Sequence, residues 1–379
     1  MEKAWSRKEK ARVQKHLQTL CKNGPVDDLT ALLSSLSEDK VTTLLQAPSG
    51  GSDHLSCLHL AAAANQPSVV EYLLTKHAFL FPDVRKDYAR TPLHEASLHG
   101  HAAVVAVLLR HDALVGAHTT RGRTPLMYAA RGGHTCVMNL LLNAGAHVND
   151  QSETGLTALY EAAKHGRVGA IDILLAHPHV DINLGSHTKH TPLHIAIGEG
   201  HLDAAERLIQ GGADTTVQDG MGVTLWHEAA GVEGVAAMDL LVRYHIPLHD
   251  DHVDVVLARH PFHYAAVEGH AAFCAALLTA NMVDVNLQDV DGCTGLYYAS
   301  ANGHANVLKV LLEANADVNL ASVRRTPLHC AVMWERSECV RLLLAHGAST
   351  TALDKDNRTA EDMAQAFPDV AALFRPTQP

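Results

Sequence analysis

Apolar positions in this chain fall in short helical blocks separated by polar turns. A first block carries Leu and Ala three residues apart, and a glycine follows. A second block carries an apolar triplet, such as Val107-Leu108-Leu109, Leu140-Leu141-Leu142 or Val310-Leu311-Leu312, and a Gly/Asn/Asp-rich turn closes the unit. The pattern predicts paired short helices. The string Thr-Pro-Leu-His stands at 91–94, 191–194 and 326–329, with looser copies between. Taking the Thr position as zero, ten copies begin at Ser56, Thr91, Thr124, Thr157, Thr191, Thr224, His260, Thr294, Thr326 and Thr359, at steps of 32 to 36 residues. Position +5 is Ala in all ten. Position +9 is Gly in six: Gly100, Gly133, Gly166, Gly200, Gly269 and Gly303.

The unit can be read physically. Thr at zero is a good N-cap, and Pro after it is pre-set for a first helical turn. The small Ala lets neighbouring helices approach closely. Gly near +9 supplies the left-handed residue that ends a helix. One pair cannot bury its own apolar face, so pairs must stack.

Period, Thr-Pro-Leu-His box, Gly-His turn and strings such as Ala316-Asp317-Val318-Asn319 resemble the ankyrin repeat. The resemblance implies an all-α solenoid of stacked helix-turn-helix units with β-hairpin fingers, whose usual activity is protein binding. We expect an N-terminal cap with a degenerate repeat and a short insertion at 1–55, the array at 56–366, and a C-terminal cap and tail at 367–379. In the degenerate repeat Leu17, Leu20 and Gly24 occupy +2, +5 and +9, and the insertion falls within 37–51. The competing reading of the N-terminus is a basic amphipathic targeting helix anchored by Trp5. Phe367-Pro368 is expected to break the last copy. Residues 246–259 depart most from the pattern, because the turn there lacks its glycine.

Composition narrows the function. The net charge is -11, which opposes non-specific wrapping of nucleic acid and attachment to anionic membranes. Seven scattered cysteines without framework spacing read as reduced thiols. No leader core or membrane-length apolar run is present, so the expected location is the cytosol or nucleus. Among 28 histidines, His245, His249, His252, His260 and His263, with nearby aspartates, raise a zinc or nickel reading. The scaffold reading is stronger. Six histidines stand at +3 (59, 94, 194, 227, 263 and 329), where the resemblance implies hydrogen bonds to neighbouring backbone. Five more stand at +10, in the turn. His94-Glu95 and His99 lack metalloprotease spacing. No phosphate loop, dinucleotide fingerprint or nucleophile-base arrangement is visible. We therefore expect no enzyme activity, no metal and no cofactor.

The resemblance implies that partners lie in a concave groove lined by turn tips and first helices. Those columns read basic and His-rich: Tyr88, Arg90, His99, Arg121, Arg123, Arg131, Lys164, His165, Lys189, His190, Arg325 and Trp334. Such segregation in an acidic chain is an electrostatic footprint. It predicts an acidic segment of another protein as partner, with Tyr88 and Trp334 as anchors. The chain is expected to be monomeric on its own. The expected role is a scaffold or adaptor; a ubiquitin-ligase recognition subunit and a pathogen effector are the alternatives. The resemblance also marks Asn149, Asn183, Asn286 and Asn319 as hydroxylation candidates, against a plain turn-forming role.

Overall fold

The computed structural model describes residues 6–46, 56–77, 83, 87–249 and 252–374. The chain divides into two compact units, residues 1–187 with 207–213 and residues 188–206 with 214–379. Both are built from the helix pairs that the columns predict. Each zero residue stands in extended conformation just before a helix: Thr91 before Pro92–Leu98, Thr191 before Pro192–Gly198, Thr326 before Pro327–Met333. His260 fills the position before Pro261–Glu268, its Nδ1 accepting from Phe262 N at 3.2 Å.

Like packs on like within each unit. In the first, first helices stack in the order Cys57–Ala63, Pro92–Leu98, Pro125–Gly132, Ala158–Lys164. In the second, Leu225–Ala230, Pro261–Glu268, Gly295–Asn302 and Pro327–Met333 do the same. The alanine at +5 is 0% exposed in all ten copies. A larger side chain there would push neighbouring helices apart, because interiors are close-packed.

Expected β-hairpin fingers are replaced by tight turns. Among the described residues there is no strand, only isolated bridges at Gln288–Thr294 and Leu353–Thr359. The reason is a small polar residue just before the turn that takes the donors a ladder would use. Asp219 Oδ1 accepts from the amides of Met221 and Val223, Asp289 Oδ1 from Asp291 and Cys293, and Asp354 Oδ1 from Asp356 and Arg358. Ser152 and Thr119 act likewise. Successive turns are then joined by single backbone rungs: Thr120 N to Tyr88 O and Glu153 N to Arg121 O in the first unit, Val255 N to Met221 O and Val323 N to Asp291 O in the second.

The +9 residue is left-handed in eight of the ten copies, two of them without glycine. Gly100 has φ 75° and Gly303 φ 84°, and Asn65 and Glu335 sit at 54° and 55°. A non-glycine residue there is strained by about 1 kcal/mol or more. Glycine offsets part of that through its greater freedom when unfolded. Exposed Glu335→Gly should therefore raise stability by about 0.5–1 kcal/mol, read as a higher denaturant midpoint at unchanged slope.

At the N-terminal end, helix Arg7–Asn23 buries Leu17, Leu20 and Cys21 and packs on Cys57–Ala63. Its apolar side is thus occupied by the array. The expected insertion contains a helix, Glu38–Gln46, which buries Val41, Leu44 and Leu45. Helix Ala360–Ala364 ends ahead of Phe367-Pro368, and Pro368 then opens the short helix Pro368–Ala371, because proline suits a first helical position. In the irregular stretch Asp254 caps a turn through Val256 and Leu257, with Ala258 left-handed. Trp5, residues 47–55, Asp250 and Asp251, and the tail 375–379 lie outside the described residues.

Candidate protein-binding surface

Two histidine columns tie each copy to its neighbours. At +3, Thr91 N donates to His94 Nδ1 at 3.1 Å, Thr91 Oγ1 lies 2.9 Å from the same nitrogen, and His94 Nε2 donates to Arg123 O at 3.1 Å. His227 bonds Thr224 N and Arg259 O in the same way, His263 bonds His260 N and Leu287 O, and His329 bonds Thr326 N and Arg358 O. Each ring is thereby the neutral tautomer with Nε2 protonated. At +10 the bonds run backward: His101 to Ala63 O, His134 to Leu98 O, His270 to Ala230 O and His304 to Val267 O, all 2.8–3.1 Å. Arg167 and Arg336 do the same with Nε, to Arg131 O and Ala301 O. These two columns of histidines are therefore structural.

Burial sets the titration of the +3 rings and of the cap residue His260. It pulls His194 down to about 4, helped by nearby His190, and His260 to about 3, helped by His263. His227, His263 and His329 are lowered by burial as well.

In the first unit, Tyr88, Arg90 and Arg121 come together around a cavity of about 290 Å³ that Thr119 and Tyr128 also line. Tyr88 is 63% exposed on a left-handed turn (φ 60°). Arg121 and Arg131 are exposed. Arg90 and Arg123 are half-buried and ion-paired, Arg90 to Glu95 and Arg123 to Glu161, each at 3.0 Å. His165 reaches the same Glu161 through its carbonyl oxygen at 2.9 Å. Lys164 is exposed, and exposed His99 stands with His101, rings 5.7 Å apart. In the second unit, Lys189 is exposed on a left-handed turn (φ 61°) and His190 lies 3.0 Å from Glu228. Arg325 and Trp334 meet in a larger cavity of about 570 Å³, where Arg325 contacts the Met333 sulfur.

Sequence reasoning overlooked the +4 column. It is Glu in three copies (Glu95, Glu161, Glu228) and Tyr in three more (Tyr128, Tyr264, Tyr298). The glutamates receive the cations at -1. Tyr264 and Tyr298 instead donate to the turn aspartates, Asp254 at 3.1 Å and Asp289 at 2.5 Å. The recurring identity at a fixed offset was the available signal.

A family model of three-copy ankyrin repeats matches residues 12–117, 58–152, 112–186, 144–219, 226–322 and 262–354. The chain belongs to the ankyrin-repeat family. The Danio rerio protein designated palmitoyltransferase ZDHHC13 is 30% identical over 186 residues, 48% of this chain and 23% of that protein. The transient receptor potential cation channel subfamily A member 1 homolog of Caenorhabditis elegans is 27% identical over 201 residues, 52% of this chain and 16% of the channel. Human neurogenic locus notch homolog protein 1 is 31% identical over 155 residues, 39% of this chain and 6% of that protein. The chain thus matches less than a quarter of the length of each relative. What carries over is the ankyrin module.

The finger asparagines of these ankyrin repeats have structural partners. Asn149 accepts from Asp181 N at 2.9 Å and donates to His179 O at 2.7 Å. Asn286 accepts from Asp317 N, and Asn319 from Ser349 N. In the histidine-rich stretch, His260 and His263 spend Nδ1 on helix starts. Among the described residues no three His, Cys, Asp or Glu side chains are grouped to hold a metal ion, and no helix is long and apolar enough to cross a membrane.

Proposed function

We propose that the chain is a non-catalytic interaction scaffold or adaptor, holding acidic segments of other proteins against its turn tips and first-helix ends. Ankyrin repeats generally mediate protein–protein contacts. The observation that carries the reading is the separation of roles along each repeat: the buried polar columns are consumed in joining neighbours, while cations and an aromatic ring collect around the exposed Tyr88 cavity. Aromatic and Arg side chains supply most interface energy.

The test is affinity capture followed by mass spectrometry, comparing the parent with an Arg121→Glu, Arg131→Glu double variant. Arg123 is left alone, because reversing it would set two carboxylates together at buried Glu161. Capture of partners should fall about tenfold or more with the circular dichroism unchanged. Equal capture by both proteins would remove the first unit's cationic surface from the binding reading.

A further inference from the structure

Turns of the second unit hold a row of aliphatic side chains in water. The amides of Val255, Val290 and Val323 make three successive rungs between turns, at 2.8, 3.0 and 2.9 Å. Their side chains are 65–70% exposed, with Val256 at 57% and Met221 at 47%. At the equivalent rungs of the first unit the donors are Thr120, Glu153 and His187, all polar. Single exposed aliphatics are ordinary, but a repeated row on successive hydrogen-bonded turns is how an interface looks before it is covered.

The row adjoins a cationic cavity, since Val323 is followed by Arg324 and Arg325. That cavity of about 570 Å³ is lined by Arg259, Arg324, Arg325, Arg336 and the 54%-exposed Trp334, among others, and by no carboxylate. Arg259 is neutralised by Asp254 at 3.0 Å. The other three guanidiniums give a local positive surface on a chain of net charge -11.

We propose that this face of the second unit docks an amphipathic segment of another protein. The segment is aliphatic on one side, against the valine row, and carboxylate-bearing on the other, against Arg324, Arg325 and Arg336. The assignment rests on the protein-binding reading above and specifies the partner's chemistry. Nucleic acid would engage the arginines but gain nothing from the valines.

The test uses a fluorescein-labelled synthetic peptide of about four helical turns with Leu on one side and Glu on the other. The same peptide with Lys for Glu is the control. The Glu peptide should bind the full chain and weaken with added salt, and the Lys peptide should bind at least about tenfold more weakly. Val290→Ser with Val323→Ser, and separately Arg324→Glu, should each weaken the Glu peptide about tenfold at unchanged melting temperature. Equal binding of the two peptides, or full binding by the serine variant, overturns the proposal. So does a parent that self-associates while the serine variant is monomeric, because the row then belongs to a second copy. Retained capture of cellular proteins with no peptide binding sinks this assignment alone; failure of all capture sinks the scaffold reading as well.

Discussion

Acidification from pH 7 to 4.5 is expected to remove about 5 kcal/mol of folding stability, most of it before any carboxylate titrates. The sign follows from His194 and His260. Burial holds both rings neutral in the fold, with pKa values of about 4 and about 3, while an unfolded histidine protonates near 6.5. Below 6.5 the unfolded chain therefore binds more protons, and stability falls with pH at about 1.4 kcal/mol per pH unit per ring. Over two units the two rings account for about 5 kcal/mol, and lowered His227, His263 and His329 add to it. The hydrogen bonds give the same direction. Nδ1 accepts a backbone N–H at 3.2 Å in His260 and at 3.1 Å in His227 and His263, so a proton there meets another proton. Aspartates act in a separate window. Asp354, lowered to about 2 by Arg358 and turn amides against its burial, contributes stability that is lost only as pH falls below about 4. Denaturant midpoints at pH 7, 6, 5 and 4.5 would measure the slope. His260→Thr, which restores the cap used in eight other copies, should remove one ring's share of it. A midpoint that is flat between pH 7 and 5 would sink this account.

What was legible in the sequence was local. Thr at zero, Pro at +1 and the alanine at +5 act within their own helix or against an identical neighbour, so one copy predicts the next. What was not legible depends on pairs some thirty to forty residues apart. Arg123 and His190 looked like cations waiting for a partner; their partners are Glu161 and Glu228, one copy further on. The turns were misjudged for a related reason. The side chain that replaces a β-ladder, Asp219 or Ser152, reads as an ordinary polar turn residue until its acceptor is seen facing two amides. The helix within the expected insertion was hidden because Glu38–Gln46 matches no repeat column, although Val41, Leu44 and Leu45 carry helical spacing. Exposed Tyr88 and Trp334 were visible from their columns alone; the valine row was not, because valine at a turn tip is unremarked until its exposure and rung are known.

Trp226 explains how the least regular turn is tolerated, and its removal should be among the costliest single changes. At +2 the copies carry Leu, except Trp226 and Phe262 in the two that flank residues 246–259, and Glu361 in the last. Both aromatics are essentially fully buried. Trp226 also donates from Nε1 to Pro247 O at 3.0 Å, at the point where the usual glycine turn is missing. The larger side chain fills space beneath the longer turn and gives its backbone a fixed donor. Trp226→Ala should cost about 3–5 kcal/mol, the range for emptying a large aromatic site, with the Pro247 carbonyl losing its partner as well. Trp226→Leu, the residue common in this column, should recover only part, leaving about 1–3 kcal/mol lost, because it restores apolar volume without the donor. In a stacked array each copy is held mainly by its neighbours, so the loss should spread unevenly. Hydrogen exchange would accelerate first in Leu225–Ala230 and Ala236–Arg243, and only later in Pro327–Met333 of the same unit. A leucine variant within about 0.5 kcal/mol of the parent, the ordinary scatter of neutral changes, would show that the turn needs neither the indole nor its hydrogen bond.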